Sequence, residues 1–394
     1  MDYLSLEALV EKPISGEWGT GDGVINVIRS ANFTNHGRIS FDKIVARNIP
    51  DNKVKTKKLQ EDDIIIEKSG GSPTQPVGRV VFFDQKGTYL CSNFTSILRP
   101  RKQYVAPKYL HYILFCNHKY GYVEKYQNKT TGIINLQLQE YLKNTKIPLP
   151  PLPEQQKIAS ILDAADNLRQ KDQQLIEKYT ALSQSLFLEM FGDPVSNPMG
   201  WDKRNLQDLV KSVIDCPHTT PNWTSSGKVA IRTSNLTQGG WSWKDKRFVS
   251  EEDFHDRSKR GYVKHGDIIL SREGTVGVLA IVEMEMEICL GQRLVQLIPD
   301  FSLANNYYLL HLLLYELEPE RISRIMVGAT SKHLNVKELR EMSLPVPPID
   351  LQNQFAERIQ SIEAQKQLAL ASLEKSEALF NTLLQRAFKG ELTT

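Results

Sequence analysis

A chain of 394 residues, 40% hydrophobic and 24% charged, has the composition of an ordinary folded protein and is long enough for two packed domains. No apolar run approaches the roughly 18 residues of a membrane-spanning helix, and the N-terminus lacks the basic and apolar regions of a signal peptide, so a cytoplasmic location is expected. The net charge of +3 is uneven: residues 1–147 carry 21 basic and 14 acidic side chains, whereas residues 193–346 carry 19 and 20. The basic first part is compatible with contact to nucleic acid.

The sequence contains one order of segments twice. Residues 27–32 (VIRSAN) are followed by 62–66 (DDIII) and by 147–152 (IPLPPL). The second copy has AIRTSN at 230–235, GDIIL at 266–270 and LPVPPI at 344–349, at offsets of 203, 204 and 197 residues. Two copies with so long a period favour a pseudo-twofold protein over a solenoid, which needs several short repeats.

Within each globular part, short apolar runs bounded by turn residues predict strands, and one apolar patch predicts a helix. The predicted strands are 78–83, 89–98, 276–282 and 294–298, and the predicted helical patches are 108–115 and 306–314. Strands followed by helices indicate two α+β domains.

The segment after the first Pro-Pro pair predicts a long helix from Pro153 to Phe191, which Gly192 and Pro194 end. Steps of three and four residues indicate a heptad seam. The predicted seam is Ile158, Ile161, Ala165, Leu168, Leu175, Tyr179, Leu182 and Leu186.

A second long helix, from about Leu351 to Phe388, follows the second Pro-Pro pair. Its predicted seam is Phe355, Ile359, Ile362, Ala369, Leu373, Phe380, Leu383 and Ala387, with Lys366 and Ser376 at the remaining seam positions. Such a stripe usually packs on another helix, so we expect the two helices to form an antiparallel coiled coil; the alternative is that each packs on its own domain.

The predicted fold class is therefore α+β, with two globular domains in pseudo-twofold arrangement joined by two long antiparallel helices. The predicted boundaries are 1–150 and 193–347 for the globular domains, and 151–192 and 348–394 for the helices.

Enzyme motifs are poorly represented. The sequence has no phosphate-binding Gly-rich loop ending in Gly-Lys-Ser/Thr, no His-Glu-x-x-His and no Gly-x-Ser-x-Gly. Pro50-Asp51 with Asp84-Gln-Lys86 imitates a nuclease metal site, but Asp84 to Gly87 is more typical of a turn after a strand. Cys91, Cys116, Cys216 and Cys289 lack metal-ligand spacing, so neither a catalytic residue nor a metal site is predicted.

Residues suited to DNA binding are more frequent. Arg29 with Asn32, and Arg232 with Asn235, could bond guanine and adenine, although asparagine at such a place often only caps a turn. Other basic, polar and aromatic side chains could meet phosphates, sugars or bases. These further candidates are Lys55, Lys57, Lys68, Arg101, Lys102, Lys125, Lys129, Thr130, Trp241, Trp243, Arg247, Lys259, Arg260, Arg272 and Lys332.

The arrangement closely resembles the specificity subunit of type I restriction-modification systems. The resemblance covers essentially the whole chain and rests on the two Pro-Pro entries with the helices that follow them. Weaker matches support it, namely 153–158 (PEQQKI), 271–277 (SREGTVG), 328–331 (GATS), 188–192 (LEMFG) and 387–392 (AFKGEL).

This resemblance implies two target recognition domains, each reading one half of a bipartite asymmetric site in double-stranded DNA, and a helix pair that fixes the spacer. It also implies a subunit without catalysis of its own that docks two methyltransferase subunits and, where present, the motor and endonuclease subunits. S-adenosylmethionine, ATP and Mg²⁺ would belong to those partners.

The two halves differ in one loop. The first half has KSGGS at 68–72, and the second has REGTVG at 272–277 in the same place. Unlike half-sites require unlike readers, so this difference fits the resemblance. A duplicated DNA-acting nuclease or methyltransferase and a coiled-coil scaffold without a DNA role remain the alternatives.

Overall fold

The computed structural model describes residues 2–72, 74–130, 133–318, 321, 326–327 and 333–392. The chain divides into two compact units. The first unit joins Met1–Gln173 with Ala371–Thr394, and the second is Gln174–Leu370. Each unit thus contains one globular part together with one half of each long helix.

The globular part of the first unit is mixed α+β. Its strands are Asp2–Ser5, Ile14–Ser15, Thr20–Ile28, Val45–Asn48, Ile64–Glu67, Ser69–Gly71, Val80–Phe82, Tyr89–Cys91, Thr95–Leu98, Gln127–Thr130, Ile133–Leu136 and Lys146–Leu149. Its helices are Leu6–Leu9, Asp51–Lys57, Pro107–Lys119 and Leu138–Asn144, with short 3₁₀ turns at Ser30–Asn32 and Glu124–Tyr126.

A four-stranded antiparallel sheet forms the centre of this unit. Ile64–Glu67 is buried along its whole length and pairs with Thr95–Leu98 on one side and Val80–Phe82 on the other. A run of isoleucines suits such a strand, because both of its faces are covered. Helix Pro107–Lys119 begins with proline at its first turn, where no amide donor is needed, and its apolar side chains join the same core.

The second unit repeats these elements. Its globular strands are Lys203–Asn205, Val210–Asp215, Trp223–Thr224, Lys228–Ile231, Phe248–Val249, Ile268–Ser271, Leu279–Ile281, Ile288–Leu290, Leu294–Pro299, Met326–Val327, His333–Leu334 and Ser343–Pro345. Its globular helices are Leu206–Leu209, Glu251–Arg257, Asn306–Glu316 and Val336–Arg340, with a 3₁₀ turn at Thr233–Asn235.

Equivalent strands pair in the same way in both units. The central strand Ile268–Ser271 again lies between two antiparallel neighbours, and in both units one strand pair is parallel, Thr20–Ile28 with Tyr89–Cys91 and Lys228–Ile231 with Ile288–Leu290. The duplication seen in the sequence therefore extends to the pairing of the central strands and of the parallel strands.

The long helices are Leu152–Phe191, of 40 residues, and Ile349–Lys389, of 41 residues. In the first unit, Ile158 and Leu162 pack with Leu384 and Ala387, while Asp172 contacts Ser376. In the second unit, Phe187 packs on Phe355 and Ser183 lies beside Glu363. Rising numbers in one helix meet falling numbers in the other, so the segments are antiparallel within each unit.

The predicted seam of the first helix is partly wrong. Leu168, Leu175 and Leu182 are 45%, 40% and 49% exposed, and Ile161 and Tyr179 are half-buried, whereas Ile158 is buried. The buried row instead runs through Ile158, Leu162, Ala165, Arg169, Asp172, Ile176, Tyr179 and Ser183, of which Ile176 and Tyr179 are half-buried. The predicted row and the buried row both have heptad spacing. The predicted row contains more leucines, and three of these, Leu168, Leu175 and Leu182, are exposed.

Polar side chains can occupy the buried row because each has a partner. Asp172 accepts hydrogen bonds from Ser372 Oγ at 3.0 Å and Ser376 Oγ at 2.8 Å on the other helix, and Arg169 pairs with Asp166 one turn earlier. Such polar positions favour one register of a helix pair at some cost in stability.

In the second helix, the predicted seam residues have low exposure, although Leu384 is buried where the prediction has the half-buried Leu383. Phe355, Ile359 and Phe380 are buried, and Ile362 and Leu373 are half-buried.

Candidate nucleic-acid interface

Asn32 and Asn235 lie in the interior, each only 2% exposed. Asn32 Oδ1 accepts from Arg29 N at 3.0 Å, and its Nδ2 donates to Ser40 O at 3.2 Å. Asn235 makes the same two kinds of bond, to Arg232 N and Ser242 O, and donates to a second carbonyl as well. The prediction that these amides bond bases is therefore wrong; they hold a short turn in place.

The arginines of these two turns, Arg29 and Arg232, also bond groups within the chain. Arg29 Nη2 donates to Lys43 O at 3.0 Å, and Arg232 Nη2 forms an ion pair with Asp245 at 2.5 Å. The Arg232 and Arg247 guanidinium groups lie 5.9 and 5.3 Å from the centroid of the Trp223 ring. Arg247 is exposed, so it remains a candidate for DNA contact.

Lys57 and Lys68 both lie beside residues 15–17, which are 40 or more residues earlier in the sequence. Lys57 Nζ pairs with Glu17 at 2.7 Å, Lys53 Nζ lies 3.9 Å from the same carboxylate, and Lys68 Nζ donates to Ser15 Oγ at 2.6 Å. We call Ser15, Glu17, Lys53, Lys57 and Lys68 the Glu17 cluster. Its three ammonium groups outnumber its one carboxylate, so the cluster offers net positive charge to an anion. Partial burial acts in the opposite direction on Lys68, because it lowers the pKa of that ammonium group.

The equivalent place in the second unit has different chemistry. Arg272 follows its central strand as Lys68 follows the first, but it is only 8% exposed. Its guanidinium lies 3.2 Å from Asp215 and 3.4 Å from Glu273, and Nη2 is 3.5 Å from His218 Nδ1. Contrary to the prediction, this arginine is itself buried and is paired with two partly exposed carboxylates, so it is not free to meet a phosphate.

A hairpin strand lies next to this position in both units. In the first, Ile133–Leu136 pairs with Gln127–Thr130, whose last residues are Lys129 and Thr130, and with Ser69–Gly71. In the second, Leu334 N donates to Arg272 O at 2.9 Å. The predicted residue Lys332 and the 328–331 match lie outside the described residues.

The other predicted basic residues have these positions. Lys55 is exposed on helix Asp51–Lys57, and Lys125 Nζ lies 5.0 Å from the Tyr126 ring centroid. Arg101 Nε donates to Val10 O, Lys102 pairs with Asp62 at 2.6 Å, Lys259 pairs with Asp256 at 2.7 Å and Arg260 Nη1 donates to Asp215 O. Arg101, Lys102, Lys259 and Arg260 thus each hold a hydrogen-bonding or ionic partner within the chain, although all six residues are exposed.

Trp241 and Trp243 stack on each other, with ring centroids 5.3 Å apart and planes at 13°. Trp241 Nε1 donates to Ile281 O at 2.9 Å, and both rings are half-buried against the core of the second unit. Lys246 Nζ lies 5.3 Å from the Trp243 centroid. The pair is anchored in the fold and leaves only part of its surface for a ligand.

The sequence interpretation missed one cation and aromatic pair in the first unit. The Arg47 guanidinium lies 4.0 Å from the Trp18 ring centroid, and Nη1 donates to Gly21 O at 3.1 Å. Trp18 follows Glu17 directly, so this pair adjoins the Glu17 cluster. The isolated tryptophan within a polar, glycine-rich stretch was the available signal.

Neither the metal-site alternative nor a thiol site finds support in the described ranges. These contain no group of three or more His, Cys, Asp or Glu placed to hold a metal ion. Asp84 follows strand Val80–Phe82 and accepts a hydrogen bond from Gln85. All four cysteines are buried, and burial raises the pKa of Cys91 to about 11 and of Cys289 to about 12.

Comparison with known families gives one clear match. The model of the type I restriction modification DNA specificity domain matches residues 18–178 and again 198–377. The chain belongs to this family. Both matches begin within the globular parts and extend into the long helices, so the family's repeated domain corresponds to the duplication described above.

Curated relatives in this family are specificity subunits. The chain is 23% identical to the type I restriction enzyme MjaVIII specificity subunit of Methanocaldococcus jannaschii, over 85% of this chain and 80% of that protein. It is 24% identical to the EcoKI specificity subunit of Escherichia coli K12, over 94% and 83%. Membership in this DNA-specificity family confirms the prediction of a specificity subunit that is not itself a catalyst.

Solved structures show the same fold. A type I restriction-modification S subunit from M. genitalium superposes with a TM-score of 0.60 and 15% identity, covering 98% of this chain and 96% of that one. A chain from a study of complex assembly and conformational transition of the type I R-M system gives a TM-score of 0.50 at 17% identity, covering 99% and 98%.

Within the described residues, none of the helices combines the length and the apolar character needed to span a lipid bilayer.

Proposed function

We propose that this specificity subunit recognises a bipartite, asymmetric sequence in double-stranded DNA, with residues 1–150 reading one half-site and 193–347 the other. The observation that carries the proposal is the pair of equivalent positions Lys68 and Arg272. The same strand end has a partly exposed lysine cluster in one unit and a buried arginine paired with carboxylates in the other. Two readers with one fold and different chemistry suit two different half-sites.

The Glu17 cluster and Arg47 are the proposed DNA-facing groups of the first domain, with Lys55 and Lys125 contributing exposed charge. In the second domain these are Arg247, Lys259 and Arg260. Lysine and arginine at such positions supply a salt-dependent contact to phosphates. The half-buried rings of Trp18, which lies beside Arg47, and of Trp243, which lies beside Lys246, suit contact with sugars or bases.

The two long helices, residues 151–192 and 348–394 with their flanks, are proposed to fix the spacer between the half-sites. A helix of 40 residues is about 60 Å long, and each helix contributes to both compact units. Changing the helix length by whole heptads preserves the buried row, so the spacer can change without a change in the readers.

Exposed leucines support docking of two methyltransferase subunits on the helices. Leu182 in the second unit and Leu379 in the first are separated by 197 residues, the helix offset, and are 49% and 46% exposed. Leu168 and Leu175 continue the row with 45% and 40% exposure. Apolar side chains at the flank of a coiled-coil seam are positions where a further helix packs, and one equivalent leucine in each unit suits two copies of one partner.

Methylome sequencing of cells that express the complex tests the two-reader proposal. The expected result is one methylated bipartite motif, whose spacer lengthens when one heptad is inserted in each long helix while both half-sites stay the same. A single uninterrupted motif, or loss of one half-site on helix insertion, would contradict it.

Docking is tested by native mass spectrometry with the methyltransferase subunit. Leu182→Lys or Leu379→Lys should reduce the bound copies from two to one, and the double variant should bind none. Ser185→Lys and Thr382→Lys, an exposed pair at the same offset, serve as controls and should still bind two. Full binding by the double leucine variant would reject the proposed surface.

A further inference from the structure

Arg38 joins the globular part of the first unit to the long helix. Its Nε donates to Asp166 Oδ2 at 2.6 Å, and its Nη2 donates to Asn167 Oδ1 at 3.2 Å. Arg169 pairs with the other oxygen of Asp166. The carboxylate of Asp166 thus lies between two guanidinium groups, and its side chain is only 3% exposed.

The loop that carries Arg38 has a shorter counterpart in the second unit. In the first unit, Phe33 and Ile39 form a bridge, and Thr34 N donates to Arg38 O. In the second, Leu236 and Trp241 form the bridge, and Thr237 N donates to Gly240 O. The bridge encloses five residues, 34–38, in the first unit and four, 237–240, in the second. Gly240 stands at the position that Arg38 has in the first unit.

The second unit has a carboxylate at the position of Asp166, although it has no arginine at the position of Arg38. Glu363 follows Asp166 by the 197-residue helix offset, and Lys366 corresponds to Arg169. Lys366 Nζ lies 3.6 Å from Glu363, whose side chain is 24% exposed. In the described part of the second unit, Glu363 therefore pairs with one cation where Asp166 pairs with two.

A cavity of about 70 Å³ lies beside Glu363. Phe187, Leu310 and Leu314 form apolar walls, and Glu318 adds a second carboxylate. His311 also lines the cavity, and its buried Nε2 has no hydrogen-bond partner. Burial lowers the pKa of His311 to about 4, so the ring is neutral and its unprotonated nitrogen can accept a hydrogen bond.

We propose that this cavity binds a guanidinium group, supplied in trans by an arginine of the methyltransferase subunit, in the role that Arg38 performs within the first unit. A guanidinium is a flat cation with five donors, and it packs on apolar and aromatic walls while it bonds carboxylates. The identity of the partner rests on the proposed function; the chemistry of the cavity rests on the comparison between the two units.

The cavity is tested first on the full chain alone, with methylguanidinium as the probe and urea as a neutral control of similar shape. Methylguanidinium should shift the NMR signals of the His311 ring in a saturable way, and urea should not. Glu363→Gln should weaken this binding about tenfold, the loss of one charge-assisted hydrogen bond. Equal shifts by both compounds, or unchanged binding by Glu363→Gln, would overturn the proposal.

The second test grafts the missing arginine. A Cβ at Gly240 meets only Thr237 Oγ1, at 3.3 Å, and Gly240 needs no left-handed backbone, so Gly240→Arg should fold. This variant should lose methylguanidinium binding and bind the methyltransferase subunit about tenfold more weakly. Gly240→Met, which has a long side chain without charge, is the matched control and should retain more affinity than Gly240→Arg.

The outcomes separate the two proposals. If the wild-type chain binds no methyltransferase subunit, the docking part of the proposed function fails. If it binds two copies and Gly240→Arg binds them with unchanged affinity, the docking proposal stands and the guanidinium site is rejected.

Discussion

Replacing Gln352 with methionine should destabilise the second unit by about 3 kcal/mol. The Gln352 side chain is fully buried at the start of its long helix. Its Oε1 accepts from Asn305 N at 2.9 Å, and its Nε2 donates to Leu303 O at 3.2 Å and Pro347 O at 2.8 Å. Methionine fills the same space but leaves one buried amide donor and two carbonyls without these partners.

The magnitude follows from those three groups. A buried donor without a partner costs about 1–3 kcal/mol, and each carbonyl loses less because it has a second lone pair. Gln155 forms the same bonds in the first unit, accepting from Ala106 N and donating to Tyr104 O and Pro150 O. We therefore expect Gln155→Met to cost a similar amount.

Urea unfolding followed by tryptophan fluorescence measures the effect, because four of the five tryptophans, Trp201, Trp223, Trp241 and Trp243, lie in the second unit. With a urea dependence of about 2 kcal/mol per M, the midpoint should fall by about 1.5 M. Gln354→Met, at an exposed position of the same helix turn, is the control. A Gln352→Met midpoint equal to that of the control would refute the reasoning.

Two further predictions use equivalent residues in the two units. Asp63→Asn should destabilise by about 3 kcal/mol, because the carboxylate is 1% exposed and pairs with Arg99 at 2.8 Å, whereas Asp267→Asn should be neutral or stabilising at pH 7. Burial raises the pKa of Asp267 above its ordinary value of 3.8, so the folded state binds this proton more tightly than the unfolded state. The free energy of unfolding of the wild type should therefore fall as the pH rises above 3.8. Urea titrations at several pH values should show a smaller fall for Asp267→Asn. Lys68→Ala should lower the affinity of the assembled complex for DNA, and the slope of log affinity against log salt concentration should decrease by about 0.9, as measured by fluorescence anisotropy. Arg272→Ala should instead lower the melting temperature of the chain. A lower melting temperature for Lys68→Ala together with weaker DNA binding by Arg272→Ala would reject the two assignments.

The main architecture could be predicted from the sequence because the strongest signals were local and repeated. The helices expected from Pro153 to Phe191 and from about Leu351 to Phe388 extend from Leu152 to Phe191 and from Ile349 to Lys389. Proline suits the start of a helix, because the amide hydrogen that it lacks has no partner in the first turn. Glycine suits the position after the end, because it readily adopts the left-handed conformation seen at Gly192 and Gly390.

Periodicity alone did not identify the register of the first helix. Ile161 and Leu162 are adjacent and both apolar, so either could start the next heptad, and leucines at 168, 175 and 182 favoured the wrong choice. The duplication held the missing information. The seam predicted for the second helix, moved back by 197 residues, gives 158, 162, 165, 169, 172, 176, 179 and 183, followed by 186 and 190. The first eight of these positions are the buried row, and the last two are half-buried.

The binding residues were harder to predict because side-chain type does not show where a hydrogen-bonding group is already used. Asn32 and Asn235 have the chemistry to bond adenine, yet the three-residue turns that contain them consume both amides. Lys57 and Lys68 gained importance only when the fold placed both beside residues 15–17.

Equivalent residues of the two units differ in whether they bond the backbone or other side chains. Residues that are alike in both, such as Gln155 and Gln352 or Asn32 and Asn235, bond the backbone, so changing one removes support for the chain itself. Lys68 and Arg272, which are unlike, contact side chains instead. Lys68 bonds Ser15 in the first unit, and Arg272 pairs with Asp215 and Glu273 in the second. Substitution at such clusters changes charge and shape at the strand ends while the backbone keeps its hydrogen bonds. A duplicated frame of this kind can therefore present two unlike readers without two unlike folds.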